Sequence, residues 1–192
     1  SEVIERTGLG DRRGQLAGTL SGGWKQRLAL ACSTIHEPPL LFLDEPTAGV
    51  DPVSRREFWE RIHAIAALGT TVVVTTHYMD EAERCHRLAF IFRGRVLQTG
   101  QPDEIVAARG LSVAEIIVKD VAAATAAFLG PPEVDECAHY GHVLRLATKA
   151  GTDAASWARA RLDQQGIEVV SIRSARATVE DAFVSMVRED QA

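Results

Sequence analysis

Apolar residues recur along this chain first at helical spacing and then in short unbroken runs. From Ser21 to about His36, Leu28, Leu30, Ala31 and Ile35 mark one helical face, and Pro38-Pro39 ends it. Leu40-Leu41-Phe42-Leu43 follows, the wholly apolar pattern of a strand buried on both faces of a parallel sheet. Asp51-Pro52 opens another helix with an acidic cap and a first-turn proline; Phe58, Trp59, Ile62, Ile65 and Leu68 point inward, and Gly69 closes it. Thr71-Val72-Val73-Val74-Thr75 is a second, β-branched strand. The order strand, helix, strand predicts a βαβ unit, in which functional groups gather at the carboxyl ends of the strands. Asp44, Glu45 and His77 all stand at such ends. Upstream, Ser1 to Leu9 reads as a helix already in progress, and the first residue is not methionine, so the chain is expected to begin inside a domain.

Leu88 to Phe92 and Val96 to Thr99, around Arg93-Gly94-Arg95, predict a hairpin, and Pro102 to Ala108 a closing helix. A boundary is expected near Gly110, where that helix stops. Beyond it come a strand (113–118), a helix (121–129), two strands (134–138, 143–147), a helix (153–165) and a strand (167–172), then a last helix (178–187). The order βαββαβ is that of a ferredoxin-like α+β domain. The expected fold is therefore α/β with a parallel sheet over residues 1–110, followed by a small α+β domain over 111–192.

Composition narrows the partners. A hydrophobic fraction of 46% suits a folded globular chain, and no run reaches the roughly 18 to 20 apolar residues that cross a bilayer. The net charge of -5, with arginines interleaved among acids, disfavours nucleic acid. Cys32, Cys85 and Cys137 show no Cys-x-x-Cys spacing and are expected to be buried small apolar residues in a reducing cytosol. His139 and His142 lack further ligands at metal spacing and read as turn histidines.

Four segments carry chemistry. Leu20-Ser21-Gly22-Gly23 precedes a helix, so backbone N–H groups, a hydroxyl and the positive end of the helix dipole converge, an anion site to which an oxyanion has close access because the glycines carry no side chain. A plain cap and turn would look the same; Gln26-Arg27 and the motif that follows favour the site. In Leu40-Leu41-Phe42-Leu43-Asp44-Glu45-Pro46 an apolar strand runs out into two carboxylates. One can hold Mg²⁺, usually through water, and its neighbour can polarise or deprotonate an attacking water; simple solvation of a turn explains either acid alone but not both. His77 could be merely packed, but beside that pair it is a candidate contact for a terminal phosphate. Asp51, after Ala48-Gly49-Val50, could reach an opposing subunit, or cap its helix, or do both.

In chain order the segments resemble the signature loop, Walker B strand, catalytic glutamate, D-loop and switch histidine of the ATP-binding-cassette ATPases, over residues 1 to about 110. Ala177-Thr178-Val179-Glu180-Asp181-Ala182-Phe183 resembles the end of the accessory domain in ABC-2 type exporters of drugs, antibiotics or polysaccharides. The resemblance implies ATP and Mg²⁺ as cofactors, with Asp44 as the metal-positioning residue, Glu45 as general base and His77 as γ-phosphate sensor. Ser21, Gly22, Gly23 and Gln26 would bind ATP held by a second ATPase subunit, expected as a homodimer, and Asp51 would communicate across it. It further implies integral membrane permease subunits as partners, and a place at the inner face of the cell membrane. Trp24 departs from the glutamine usual at that point of the signature.

One part of such an ATPase is absent. Its phosphate-binding loop needs a lysine after glycine, to neutralise β- and γ-phosphate charge, and Lys25, Lys119 and Lys149 each follow another residue. This chain alone is expected to be inactive. Two further readings remain: a non-catalytic interaction or regulatory module, and a soluble ATPase of translation or DNA repair.

Overall fold

The computed structural model describes residues 2–191 and forms two compact units that meet in sequence between Tyr78 and Met79. The first begins with α1 (Glu2–Arg6); Ser1, the expected start of that helix, lies outside the described residues. Short 3-10 turns at Gly10–Arg12 and Ala17–Thr19 lead to α2 (Gly22–Thr34). Glu37 takes a left-handed turn (φ 50°) before the two prolines, and β1 (Leu40–Asp44) follows. α3 (Pro52–Ala67) starts under Asp51, whose carboxylate accepts from the N–H of Val53 (3.1 Å) and Ser54 (2.9 Å), and Gly69 at φ 100° turns the chain out of it. β2 (Thr71–Thr75) then pairs in parallel with β1, with Asp44 directly opposite Thr75. Leu30, Ala31, Leu41, Val50, Phe58, Trp59 and Ile62 are the buried apolar residues around this βαβ unit.

Two expectations fail here. β1 is not buried on both faces: Leu41 is buried, but Phe42 is 70% exposed and Leu40 46%. With β1 and β2 the sole members of their sheet among the described residues, helices cover one face and leave the other bare. Leu68 and Ile35, expected to face inward, are exposed because each lies at or past the last residue of its helix.

The second unit opens with α4 (Met79–Ala82), then β3 (Leu88–Phe92) and β4 (Arg95–Gly100) as an antiparallel hairpin. Arg93 and Gly94 both have positive φ, the twist a two-residue hairpin turn requires. After α5 (Pro102–Arg109) come β5 (Ser112–Val118), α6 (Val121–Phe128), β6 (Val134–Tyr140), β7 (Val143–Thr148), α7 (Ala154–Gln164), β8 (Val169–Ala175) and α8 (Val179–Gln191). The four strands form one antiparallel sheet in the order β6-β7-β5-β8, as the βαββαβ pattern requires. Its core joins Ile116, Leu144 and Leu146 of the strands to Phe128 and Leu162 of the helices. β8 starts two residues later than expected because Gly166 turns left-handed and the Ile167 N–H still bonds the α7 carbonyl of Leu162 (3.0 Å).

The sequence places a boundary at 110; the compact units instead separate before Met79. The cause is long-range packing: Phe90 of the hairpin and Ile105 of α5 share a core with Val179, Ala182 and Met186 of α8. The cysteines also differ from expectation, Cys32 being exposed and Cys85 and Cys137 half-buried, all with free thiols. Burial pushes the Cys137 thiol up to about 11, which keeps it protonated and unreactive. No helix among the described residues is long and apolar enough to cross a membrane.

Candidate functional site

Parallel pairing of β1 and β2 brings the ends of both strands together, and the candidate site is built there. The Thr75 hydroxyl donates to Asp44 Oδ1 across the strand pair. The Glu45 N–H, in turn, is shared between the Thr75 carbonyl (3.1 Å) and its hydroxyl (3.2 Å). Asp44 is thereby fixed in direction while remaining exposed to a ligand.

Glu45 leaves the strand at φ 45°, a left-handed conformation that costs a non-glycine residue about 1–3 kcal/mol. The surroundings impose it: the N–H is held by Thr75, and the carbonyl accepts from the Ala48 N–H (3.1 Å) in the turn that follows. The consequence is that Glu45 turns its carboxylate toward His77, whose Nδ1 lies 2.7 Å from Oε2. Oε2 is buried and has no aligned hydrogen-bond donor among the described residues, so the close approach of His77 is its nearest charge-bearing contact. Asp44, Glu45 and His77 therefore share one end of the sheet.

Ser21, Gly22 and Gly23 lie elsewhere in the same unit, at the start of α2. Ser21 stands at the N-cap without a side-chain capping bond, which leaves its hydroxyl and the first-turn N–H groups to an external acceptor. Gly22 is open: a Cβ there would meet nothing within 4 Å. Gly23 is not, since a Cβ would come within 3.1 Å of Ser54 Cβ and Oγ on α3. Gly23→Val is accordingly expected to destabilise the first unit by about 1–3 kcal/mol through overpacking, whereas Gly22→Ala stays within about 0.5 kcal/mol, both read from urea midpoints. Gln26 is half-buried on α2. Arg27 beside it is buried, pairs with Glu57 and lies 4.5 Å over the Trp24 ring, with Arg12 at 5.0 Å from that ring. Burial, then repulsion from Arg61, lowers the Arg27 pKa. Trp24 thus packs between cations, a use that the usual glutamine could not serve.

Asp51 acts as the N-cap of α3. Hydrogen bonds from Ser54, with Val53 adding to them, hold its carboxyl below the ordinary carboxylate range, so it stays charged. No group of three or more His, Cys, Asp or Glu among the described residues could hold a metal alone. A cation at Asp44 would take its remaining ligands from water and phosphate, which is how Mg²⁺ is commonly held, so the residues fit that ion.

Sequence reasoning missed Thr75, Tyr78 and Arg55. Thr75 was detectable as a hydroxyl at the end of the strand adjoining Asp44. Tyr78 has its ring centroid 4.2 Å from that of His77, and the Arg55 guanidinium sits 3.9 Å from the Tyr78 centroid; no local signal announces either contact. His139, expected in a turn, lies instead on β6, with its Nε2 3.0 Å from the Thr125 hydroxyl.

Residues 1–48 match the family model described as ABC transporter. The probable multidrug ABC transporter ATP-binding protein YbhF of Escherichia coli is 51% identical over 107 residues, 56% of this chain and 18% of that protein. The daunorubicin resistance ATP-binding protein DrrA3 of Streptomyces coeruleorubidus is 33% identical over 194 residues, 99% of this chain and 61% of that protein. The chain thus spans less than two thirds of either relative. The structure of cbiO1 from Clostridium perfringens, part of the ABC transporter complex cbiONQ, is 34% identical with a TM-score of 0.52, over 55% of this chain and 43% of that one. With an α/β fold that matches part of the ABC ATPase cassette, the chain belongs to the ATP-binding proteins of ABC transporters, of the type that includes YbhF and DrrA3.

Proposed function

We propose that this chain forms part of an ATP-hydrolysing subunit that powers export through separate membrane permease subunits. One observation carries the reading: Asp44, Glu45 and His77 converge on one strand end, with His77 Nδ1 2.7 Å from Glu45 Oε2. In the proposed mechanism Glu45 accepts a proton from the water that attacks the γ-phosphate in line, and His77 orients Glu45 while contacting the phosphate. Asp44, oriented by Thr75, holds Mg²⁺ directly or through water. When bound there, Mg²⁺ would supply positive charge beside the phosphate oxygens.

Ser21, Gly22 and Gly23 at the start of α2, with Gln26 one turn on, receive the γ-phosphate of ATP held by the opposite subunit of a homodimer, and Asp51 faces that subunit. The nucleotide-site segments all lie in the first compact unit, residues 1–78; the cassette portion of the sequence extends to about 110, although the hairpin and α5 pack in the second unit with the ferredoxin-like accessory segment, residues 111–192. The subunit works at the inner face of the membrane through its permease partners. The names of YbhF, a probable multidrug ABC transporter ATP-binding protein, and of DrrA3, a daunorubicin resistance ATP-binding protein, support an export role.

The test is an ATP titration with Mg²⁺ present. Residues 1–192 alone are expected to bind no better than millimolar, because the cationic phosphate cradle is absent from this sequence. The full-length protein is expected to bind in the micromolar range, a difference of about 4 kcal/mol per thousandfold. Micromolar binding by residues 1–192 would contradict the division of the pocket, and no binding by the full-length protein would favour a non-catalytic module.

A further inference from the structure

His77 is exposed over 63% of its side chain, and an exposed imidazole has little packing to hold one rotamer. Two contacts restrain it here, Glu45 on one side and the Tyr78 ring on the other. The turn after β2 creates the second: the Tyr78 N–H bonds the Thr76 hydroxyl (3.1 Å), and the consecutive rings of His77 and Tyr78 come together at 4.2 Å and 35°. That separation is shorter than edge contact allows, so the imidazole lies over the Tyr78 ring. The Arg55 guanidinium, 3.9 Å from the same centroid, also lies over the ring.

Arg55 connects this stack to a different part of the unit. It stands in the first turn of α3, and its N–H bonds the carbonyl of Asp51, the residue that caps the helix. A continuous set of contacts therefore runs from Asp51 through Arg55 and Tyr78 to His77 and Glu45. We propose that Tyr78, held by Arg55, is a positioning residue that keeps His77 against Glu45, so that displacement of the start of α3 at Asp51 is felt at the Glu45–His77 pair. This rests on the reading of Glu45 and His77 as the hydrolytic pair. Tyr78 touches neither water nor phosphate in this role; it acts through the imidazole.

Steady-state ATPase measurements on the full-length protein test it. Tyr78→Leu is expected to lower kcat about tenfold with KM for ATP changed less than about twofold, since only the geometry of the reacting groups is lost. Tyr78→Phe keeps the ring and is expected to restore kcat to within about threefold of the parent. Arg55→Gln is expected to cost about threefold alone and nothing further in the Tyr78→Leu background, the mark of two residues acting as one unit. Tyr78→Leu within about twofold of the parent, a loss confined to KM, or equal losses in Leu and Phe would each overturn the proposal. If Glu45→Gln leaves turnover intact, the hydrolytic reading has failed instead. The His77 ring-proton NMR signals then decide: a downfield move in Tyr78→Leu, from loss of the ring current, supports the stack, and unmoved signals refute it.

Discussion

Glu45→Gln in the full-length protein is expected to cut ATP turnover by about 10²–10⁴-fold, the range a positioned general base contributes, which corresponds to about 3–5 kcal/mol of transition-state stabilisation. Glutamine matches glutamate in size and can take the same left-handed backbone, with the Thr75 and Ala48 hydrogen bonds to its main chain preserved. What it lacks is proton affinity. Its amide can still face His77, so the site should keep its shape while losing the step. ATP affinity is therefore expected to stay within about threefold of the parent, and the nucleotide to remain bound uncleaved. Turnover and affinity measured on the same preparation separate this from misfolding, which would lower both.

Asp181→Ala is expected to destabilise the second unit by about 3–5 kcal/mol, the usual effect of removing one partner from a buried ion pair. Its partner, Arg145, is only 13% exposed and Asp181 8%. The guanidinium donates from Nε to Oδ1 (3.0 Å) and from Nη2 to Oδ2 (2.7 Å), with Glu115 and the Arg176 carbonyl as further acceptors. Asp181 also fastens the start of α8, accepting from the Thr178 N–H (2.7 Å) and hydroxyl (2.8 Å). Truncation leaves the largely buried Arg145 with Glu115 as its anionic partner and removes the Thr178 bonds that fasten the helix over Phe90 and Ile105. Replacing both partners by apolar residues, as Arg145→Met with Asp181→Leu, is expected to do less harm than either change alone.

The same pair has a pH signature. Burial pushes the Asp181 pKa up, but the bonds from Arg145 and Thr178 outweigh it, and the folded-state pKa lies below the ordinary carboxylate value. The stabilisation is thus complete above the unfolded-state pKa and disappears as pH falls through the depressed folded one. Acid titration of the unfolding free energy is expected to show a steeper loss in the parent than in Asp181→Ala below the normal carboxylate range.

Much of this structure could be read in advance because its signals are local. Asp51-Pro52 and Gly69 bracket α3 by cap and turn chemistry that acts over three or four residues. The βαββαβ order follows from short strands separated by turns. Features that depend on distant partners could not be read the same way. Phe42 has the sequence of a two-sided core residue, yet its exposure depends on how many strands flank β1. The division before Met79 depends on Phe90 meeting Phe183, more than ninety residues away. α4, four residues long, is too short for any periodicity. At the site, the order of Asp44, Glu45 and His77 was visible. The left-handed turn at Glu45 and the stacking of Arg55 on Tyr78 were not, because both follow from packing across β1, β2 and α3.

The central claim, that Asp44, Glu45 and His77 form one side of a nucleotide pocket, is open to direct measurement. The full-length Glu45→Gln protein would be imaged by electron cryomicroscopy with Mg²⁺ and ATP. The expected map has the γ-phosphate and its metal against Asp44, position 45 and His77 of one subunit, and against Ser21, Gly22 and Gly23 of the other. Nucleotide phosphates seated away from Asp44 and His77 would contradict it.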